Sequence, residues 1–291
     1  PEGSGFHSKD SICARVRRPG AGQKAYRVGM SFFCLKEESA VTLEQFFSQH
    51  PKAALAFSGG VDSAYLLWAG LQAGAEVWPY FVKTPFQPRF ELEDAYRLCE
   101  QLNADLIVLD YDILDQETVV SNPPDRCYHC KRWMFSKLKR YAASEGFSLL
   151  IDGTNASDDG GDRPGMRALD ELEVRSPLRE CGLTKAQIRE LSRQAGLFTW
   201  DKPSYACLAT RVPAGRTIIQ GDLERVERGE EALSRLGFRD FRLRLTAGGA
   251  KLQLPEGQLL LALERRADIL SALETDFPEL TLDLRPRVPI D

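Results

Sequence analysis

No stretch of this chain approaches the roughly 18 consecutive apolar residues that a bilayer-spanning helix needs. The opening segment, PEGSGFHSKDSICARVRRPG, holds no apolar core of the secretory kind. We therefore expect a cytoplasmic protein with no membrane partner. Positive charge is not in excess: 38 lysines and arginines stand against 42 aspartates and glutamates, a net charge of -4. A broad electrostatic grip on nucleic acid needs a basic surface, so no nucleic-acid partner is expected. Histidine is scarce, at three residues, and internal repeats and low-complexity tracts are lacking. The chain opens on Pro1 rather than methionine. We expect residues 1–38 to be an N-terminal extension, partly foreign to the fold or flexible.

What remains is globular in character. Of 291 residues, 43% are hydrophobic and 27% charged, which excludes a disordered chain, a collagen or a coiled coil. At roughly 150 residues per domain, the length corresponds to two domains. A short apolar run at 53–57 is followed by a glycine turn and then a helical pattern. Further strands are expected at 77–82, 106–109 and 148–151, with helices at 91–102 and 129–145 between them. This alternation predicts an α/β fold with a doubly wound parallel sheet. Another helix is expected over LTKAQIRELSRQAG, with Thr184 as N-cap and Gly196 as its stop. Residues 199–217 read as a long ordered loop. From about 218 a helix, two strands and a second helix (GQLLLALERRADILSALE) make a smaller C-terminal α+β unit, and a Pro-rich tail at 283–291 docks loosely. The expected domains are 39–200 and 201–291.

The sharpest local signal is Ser58-Gly59-Gly60-Val61-Asp62-Ser63, between a buried strand and a helix. Two glycines allow close backbone approach to a phosphate, and the helix N-terminus adds unpaired N–H groups and partial positive charge. Ser58 and Ser63 add hydroxyls, and Asp62 is placed for Mg2+ bridging phosphates. The bland reading is a connecting turn. The hexapeptide lacks the Gly-Lys-Ser/Thr ending of a Walker loop and resembles the signature of PP-loop ATP pyrophosphatases. That resemblance implies ATP cleavage between the α and β phosphates, with an adenylated intermediate. Lys83, Gly153 and Thr154 fall at other strand ends, where ligands of such sheets bind. Arg211, Arg216, Arg242 and Arg244 are candidates to stabilise departing pyrophosphate; for Arg216 and Arg244 a solvated surface charge is the equal alternative.

Seven cysteines scattered through a long chain are not a disulfide framework. Cys99 reads as a core residue and Cys181 as a turn residue; Cys13 and Cys34 receive no role. Cys127 and Cys130 lie at the start of a helix, in Asn122-Pro-Pro-Asp-Arg-Cys127-Tyr-His-Cys130-Lys131, with Cys207 in a second loop. Structural zinc normally takes four ligands, and His129 points away if the two thiols converge. Three thiolates on a [4Fe-4S] cluster would leave one iron without a protein ligand. The rival readings are metal-free sulfur chemistry, with Cys207 as donor and Cys127 and Cys130 as resolving thiols, and an inert pair.

With these segments in order, the chain resembles the LarE family from about residue 40 to about 245. The resemblance includes Asp152-Gly-Thr-Asn155, Arg163-Pro-Gly-Met-Arg-Ala168, Ser176-Pro-Leu178 and Leu183-Thr-Lys-Ala186. It implies ATP-dependent adenylation of a carboxylate of a pyridinium dicarboxylate mononucleotide, then replacement of the activated oxygen by sulfur. This belongs to assembly of the nickel-pincer nucleotide, the cofactor of lactate racemase. Members with one cysteine at the position of Cys207 sacrifice its sulfur. Those with cysteines matching Cys127 and Cys130 resemble the cluster type, which the three thiols here favour. The resemblance also implies a homo-oligomer, a hexamer in the family, and a sulfide or sulfur-donor protein as supplier. Rivals are a tRNA thiolation enzyme, an amide-forming synthetase (although no glutaminase-like domain is seen) and an ATP-sensing module.

Overall fold

A computed structural model describes residues 13–15, 41–158 and 164–288. Most of the expected N-terminal extension lies outside these residues, with His7 and Cys34, as do Arg163 and the last three residues of the tail. Along the chain come β1 (Cys13–Arg15), α1 (Leu43–Gln49), β2 (Lys52–Ala56), α2 (Val61–Gln72), β3 (Glu76–Lys83), α3 (Arg89–Leu102), β4 (Ile107–Asp110), α4 (Glu117–Val120) and α5 (Arg126–Ser144). Then follow β5 (Leu150–Ile151), α6 (Pro164–Glu171), α7 (Pro177–Glu180), α8 (Lys185–Gln194) and α9 (Gln220–Arg235). The last elements are β6 (Arg242–Leu245), β7 (Gly249–Gln253), α10 (Leu259–Glu264), α11 (Arg266–Leu273) and β8 (Glu279–Leu282).

The parallel α/β sheet expected from the alternation is present. Its order is β1-β4-β3-β2-β5, with β4, β3, β2 and β5 parallel and β1 antiparallel on the β4 edge. Side chains alternate across a strand, and β2 shows why a fully apolar run was needed. Ala53 and Leu55 join the core formed with α1, α2 and α3, while Ala54 joins Tyr80, Leu138 and Leu150 on the opposite face. Helices therefore cover both faces, and all the parallel strands point their carboxyl ends toward the glycine turn's side.

Local chemistry fixes the helix starts. Thr184 and Gln187 form a capping box that opens α8, as Thr42 and Gln45 do for α1. Gly196 takes a left-handed φ of 69° just past α8. α5 begins at Arg126, three residues earlier than expected, because Asp125 already stands at its N-cap after Pro123-Pro124. Both cysteines of the pair therefore lie in its first turns.

The C-terminal residues form a second sheet, β6-β7-β8, with an antiparallel β6–β7 hairpin and a parallel β7–β8 pair. Its core of Leu233, Phe238, Leu243 and Phe277 also takes in Phe86, Ile113, Val119 and Cys130 from the first half of the chain. Two expectations change here. The helix read over 257–274 is broken at Arg265, so that α10 buries Ala262 while α11 buries Ile269 and Leu273. β8 was not foreseen, and the segment after it is pinned: Asp283 N donates to Leu252 O at 2.9 Å and Arg287 N to Leu254 O at 2.8 Å. No helix of the described residues is long and apolar enough to cross a membrane.

Candidate functional site

The glycine loop is knit by its two serines. Ser58 Oγ lies 3.1 Å from Ser63 Oγ and accepts from Gly60 N at 3.3 Å, while Ser63 Oγ accepts from Ser58 N at 3.3 Å. Gly59 has φ 68°, and a Cβ there would stand 3.1 Å from Glu91 O and Ala95 N of α3. Only glycine suits that backbone and that space. Val61 is buried in the core, which leaves its main chain alone for a phosphate. Gly60 caps the twelve-residue α2 without a side-chain bond, so the helix presents free N–H groups and its positive dipole end.

Three distant segments close on this loop. Gly153 packs so tightly that a Cβ would come within 2.9 Å of Ser63 N. Next to it, Thr154 donates to Asp152 through both its N (3.2 Å) and Oγ1 (2.6 Å). Asp62 Oδ2 receives Lys185 Nζ at 2.5 Å, and Asn155 Nδ2 reaches Oδ1 at 3.4 Å. Burial pushes the Asp62 carboxyl up, and the Lys185 ammonium pulls it partly back. The third segment brings Lys202, whose Nζ lies 3.4 Å from Gly59 O and 2.6 Å from Asp94 Oδ2. Lys185, Asn155 and Lys202 were not singled out as site residues. Lys185 had one signal, its place at a capped helix start within Leu183-Thr-Lys-Ala186.

Lys83 ends β3 but turns its Nζ to Gln87 O. Burial lowers its pKa, against the carboxylates of Glu227, Asp110 and Glu91. Glu91, half-buried in the first turn of α3, is raised to about 7 by burial despite Lys202, Lys83 and Arg211 nearby. An acid with a raised folded pKa holds its proton while the unfolded chain has lost it. Stability therefore falls as pH rises between about 4.5 and 7, by about 1 to 3 kcal/mol. Urea unfolding at pH 5 and pH 8 should show this drop, and Glu91→Gln should flatten it.

The loop from Lys202 to Ala214 links the glycine loop to the cysteines. Leu208 N donates to Phe86 O at 2.9 Å, and Asn122 Nδ2 donates to Pro213 O at 2.8 Å. The structure places Arg211 and Arg242, expected at a phosphate, beneath this loop. Arg211 is 1% exposed; Nε and Nη2 donate to Glu230 at 2.8 and 3.0 Å, and Nη1 donates to Ala206 O at 2.9 Å. Arg242 donates to Ser204 O at 2.8 Å, and burial lowers its pKa to about 10. Tyr205 and Leu243 N also donate to Glu230. The two arginines thus hold the carbonyls on the N-terminal side of Cys207. Arg216 is paired with Asp222 at 2.6 Å, and Arg244 donates to Thr210 O at 2.7 Å.

Cys127 is exposed, Cys130 buried and Cys207 half-buried. Between them sits Arg126, its Nη2 3.5 Å from Cys127 Sγ and its Nη1 and Nη2 3.9 Å from Cys207 Sγ. Burial opposes the charge of Arg126, yet its pKa is raised, because the sulfurs of Cys207, Cys127 and Cys130 favour the cation whenever they carry charge. Burial also pushes the Cys130 thiol up to about 12. His129 turns to Asp125 at 3.3 Å, away from the thiols. Among the described residues no three His, Cys, Asp or Glu side chains are grouped to hold a metal ion. The donors around the guanidinium are sulfur alone, a set that suits iron–sulfur rather than oxygen-loving cations.

Beside the thiols lies a cavity of about 560 Å3. Arg126, Arg211, Arg244 and Lys251 line it together with Cys127, and no carboxylate does. The glycine loop is not part of its wall. One loop therefore touches Gly59 at one end, carries Cys207 in its middle and walls the cavity at the other.

Comparison with known proteins gives this geometry a family. No protein-family model matches the chain. The uncharacterized protein slr1717 of Synechocystis is 34% identical over 77% of this chain and 84% of its own. Pyridinium-3,5-bisthiocarboxylic acid mononucleotide synthase of Lactiplantibacillus plantarum is 31% identical, covering 80% of this chain and 86% of that enzyme. The chain belongs to the LarE family. A more distant likeness is to the tRNA-specific 2-thiouridylase MnmA of Thermotoga petrophila, 28% identical over 52% of this chain and 54% of its own.

Proposed function

We propose that this protein is an ATP-dependent sulfurtransferase that adenylates a carboxylate of a pyridinium dicarboxylate mononucleotide and replaces the activated oxygen with sulfur. This is the sulfur-insertion step of nickel-pincer-nucleotide assembly. The observation that carries the reading is the cavity beside the thiols, whose wall holds Arg126, Arg244 and Lys251 and no carboxylate. Its volume falls within the roughly 300–1,000 Å3 of small-molecule sites, and a mononucleotide with two carboxylates and a phosphate is the kind of anion it would attract.

In this account a carboxylate oxygen attacks the α-phosphorus of ATP, and pyrophosphate leaves. The N–H groups at the start of α2, with Ser58 and Ser63, receive the β and γ phosphates. Asp62 supplies an oxygen ligand suited to Mg2+, with Lys185 the cation it would exchange. Sulfur then attacks the activated acyl carbon and AMP departs with the original oxygen. Cys127, Cys130 and Cys207 are the residues that would hold a [4Fe-4S] cluster, whose unliganded iron, when bound, supplies a place for sulfide. Lys83, Gly153 and Thr154 shape the nucleotide site. Arg211 and Arg242 act by holding the Cys207 loop.

We read residues 39–200 as the doubly wound, PP-loop domain and 201–291 as the unit that adds the cysteine loop, closes the cavity and serves assembly. A homo-oligomer, a cytoplasmic setting and a sulfide or sulfur-donor protein complete the reading. Leu260, Leu263, Leu284 and Val288, all more than half exposed, support an assembly role. Pyrophosphate release tests the function: it should require both ATP and the dicarboxylate mononucleotide. Release dependent on tRNA instead, lost steeply with salt, would transfer the assignment to tRNA thiolation.

A further inference from the structure

The thiol centre holds a buried charge that no carboxylate of the described residues answers. Arg126 is 5% exposed, yet among the described residues its guanidinium meets no carboxylate. Its partners are two sulfurs at 3.5 and 3.9 Å and the Phe86 ring, 5.6 Å from the guanidinium carbon. Buried guanidinium groups are ordinarily matched by charge, as Arg211 is by Glu230 a short distance away. Contacts to sulfur of this length are weak, and a carboxylate offering two oxygens to the planar fork would replace them favourably. Arg126 also stands where two features meet. It lines the cavity and reaches both Cys127 and Cys207, whereas Cys207 itself is not part of the cavity wall.

Resting on the reading of the cavity given above, we propose that Arg126 is the specificity-determining residue for the reacting group. Its fork takes the substrate carboxylate and sets it beside the sulfurs of Cys127 and Cys207, leaving Arg244 and Lys251 of the wall for the phosphate. A carboxamide in the same place would turn N–H groups toward N–H groups, so the residue selects an acid over its amide. No bond is made or broken in this step; the arginine positions the group on which the chemistry occurs.

Two probes isolate the effect, nicotinic acid mononucleotide and nicotinamide mononucleotide, which differ in carboxylate against carboxamide. Their binding to the full chain is measured by calorimetry without ATP, for the wild type, Arg126→Met and Arg126→Lys. The wild type should favour the acid by at least about tenfold, the scale of a charge-assisted bidentate pair. Arg126→Met should bind the two within about twofold of each other, by losing affinity for the acid while keeping that for the amide. The retained amide affinity shows that the variant is folded, and Arg126→Lys should regain part of the preference. A preference kept intact in Arg126→Met would overturn the role of Arg126 and leave the cavity reading standing. Equal loss of both probes in both variants would make the residue structural and overturn the role as well. A wild type that binds neither probe would overturn the cavity reading and this role with it.

Discussion

Asp62→Asn should slow pyrophosphate release at least about tenfold, the scale of losing a catalytic metal contact. The Asp62 carboxylate sits in the first turn of α2, two residues past the glycines, half-buried and held by Lys185 Nζ at 2.5 Å and Asn155 Nδ2 at 3.4 Å. Burial of a carboxylate with one lysine partner is costly, and that cost has no structural reason in a mere connecting turn. Asparagine keeps the shape and the contact to Asn155 but removes the charge that a Mg2+·triphosphate needs beside the loop. It also leaves Lys185 without its carboxylate, so the melting temperature is followed in parallel to separate a folding loss from a catalytic one. A folded Asp62→Asn protein releasing pyrophosphate at the wild-type rate would remove the glycine loop from the chemistry.

Cys207→Ala should abolish sulfur insertion while adenylation continues. The loop around Cys207 is held by main-chain contacts at Ser204, Ala206 and Leu208, none of which needs the thiol. The variant therefore keeps the loop and loses only the sulfur. Cys127→Ala and Cys130→Ala should behave likewise, and each of the three changes should strip iron and its colour from protein reconstituted without oxygen. Cys99→Ala should do neither, because Cys99 is 3% exposed and packed in the apolar core with Ala95 and Leu98 of α3. Iron-free wild-type protein in which Cys207 alone loses its sulfur during turnover would favour the sacrificial route over the cluster.

How much of this was legible in the sequence depends on distance along the chain. The glycine loop could be read because its six residues are contiguous and flanked by an apolar strand and a helix. The cysteine pair was legible for the same reason. Pairings across long separations were not: Asp62 with Lys185, Gly59 with Lys202 and Gly153 with Ser63 each depend on the order of strands in the sheet. Arginines were the least readable. Arg211 and Arg242 carry motif-like neighbours, yet Glu230 and the carbonyls of Ser204 and Ala206 draw them under the loop. Arg126, adjacent to a cysteine and unremarkable by pattern, proved to lie between two thiols. β8 and the break at Arg265 escaped because short strands and helices at a C-terminal edge are set by packing on Phe277 and Leu273 rather than by periodicity.

The central claim, replacement of a carboxylate oxygen by sulfur after adenylation, is tested most directly by the mass of the product nucleotide. Anaerobic protein, ATP, Mg2+, a sulfide source and the pyridinium dicarboxylate mononucleotide should yield AMP, pyrophosphate and a nucleotide in which sulfur has replaced oxygen. Pyrophosphate release with a nucleotide of unchanged mass, or with sulfur found on tRNA instead, would contradict it.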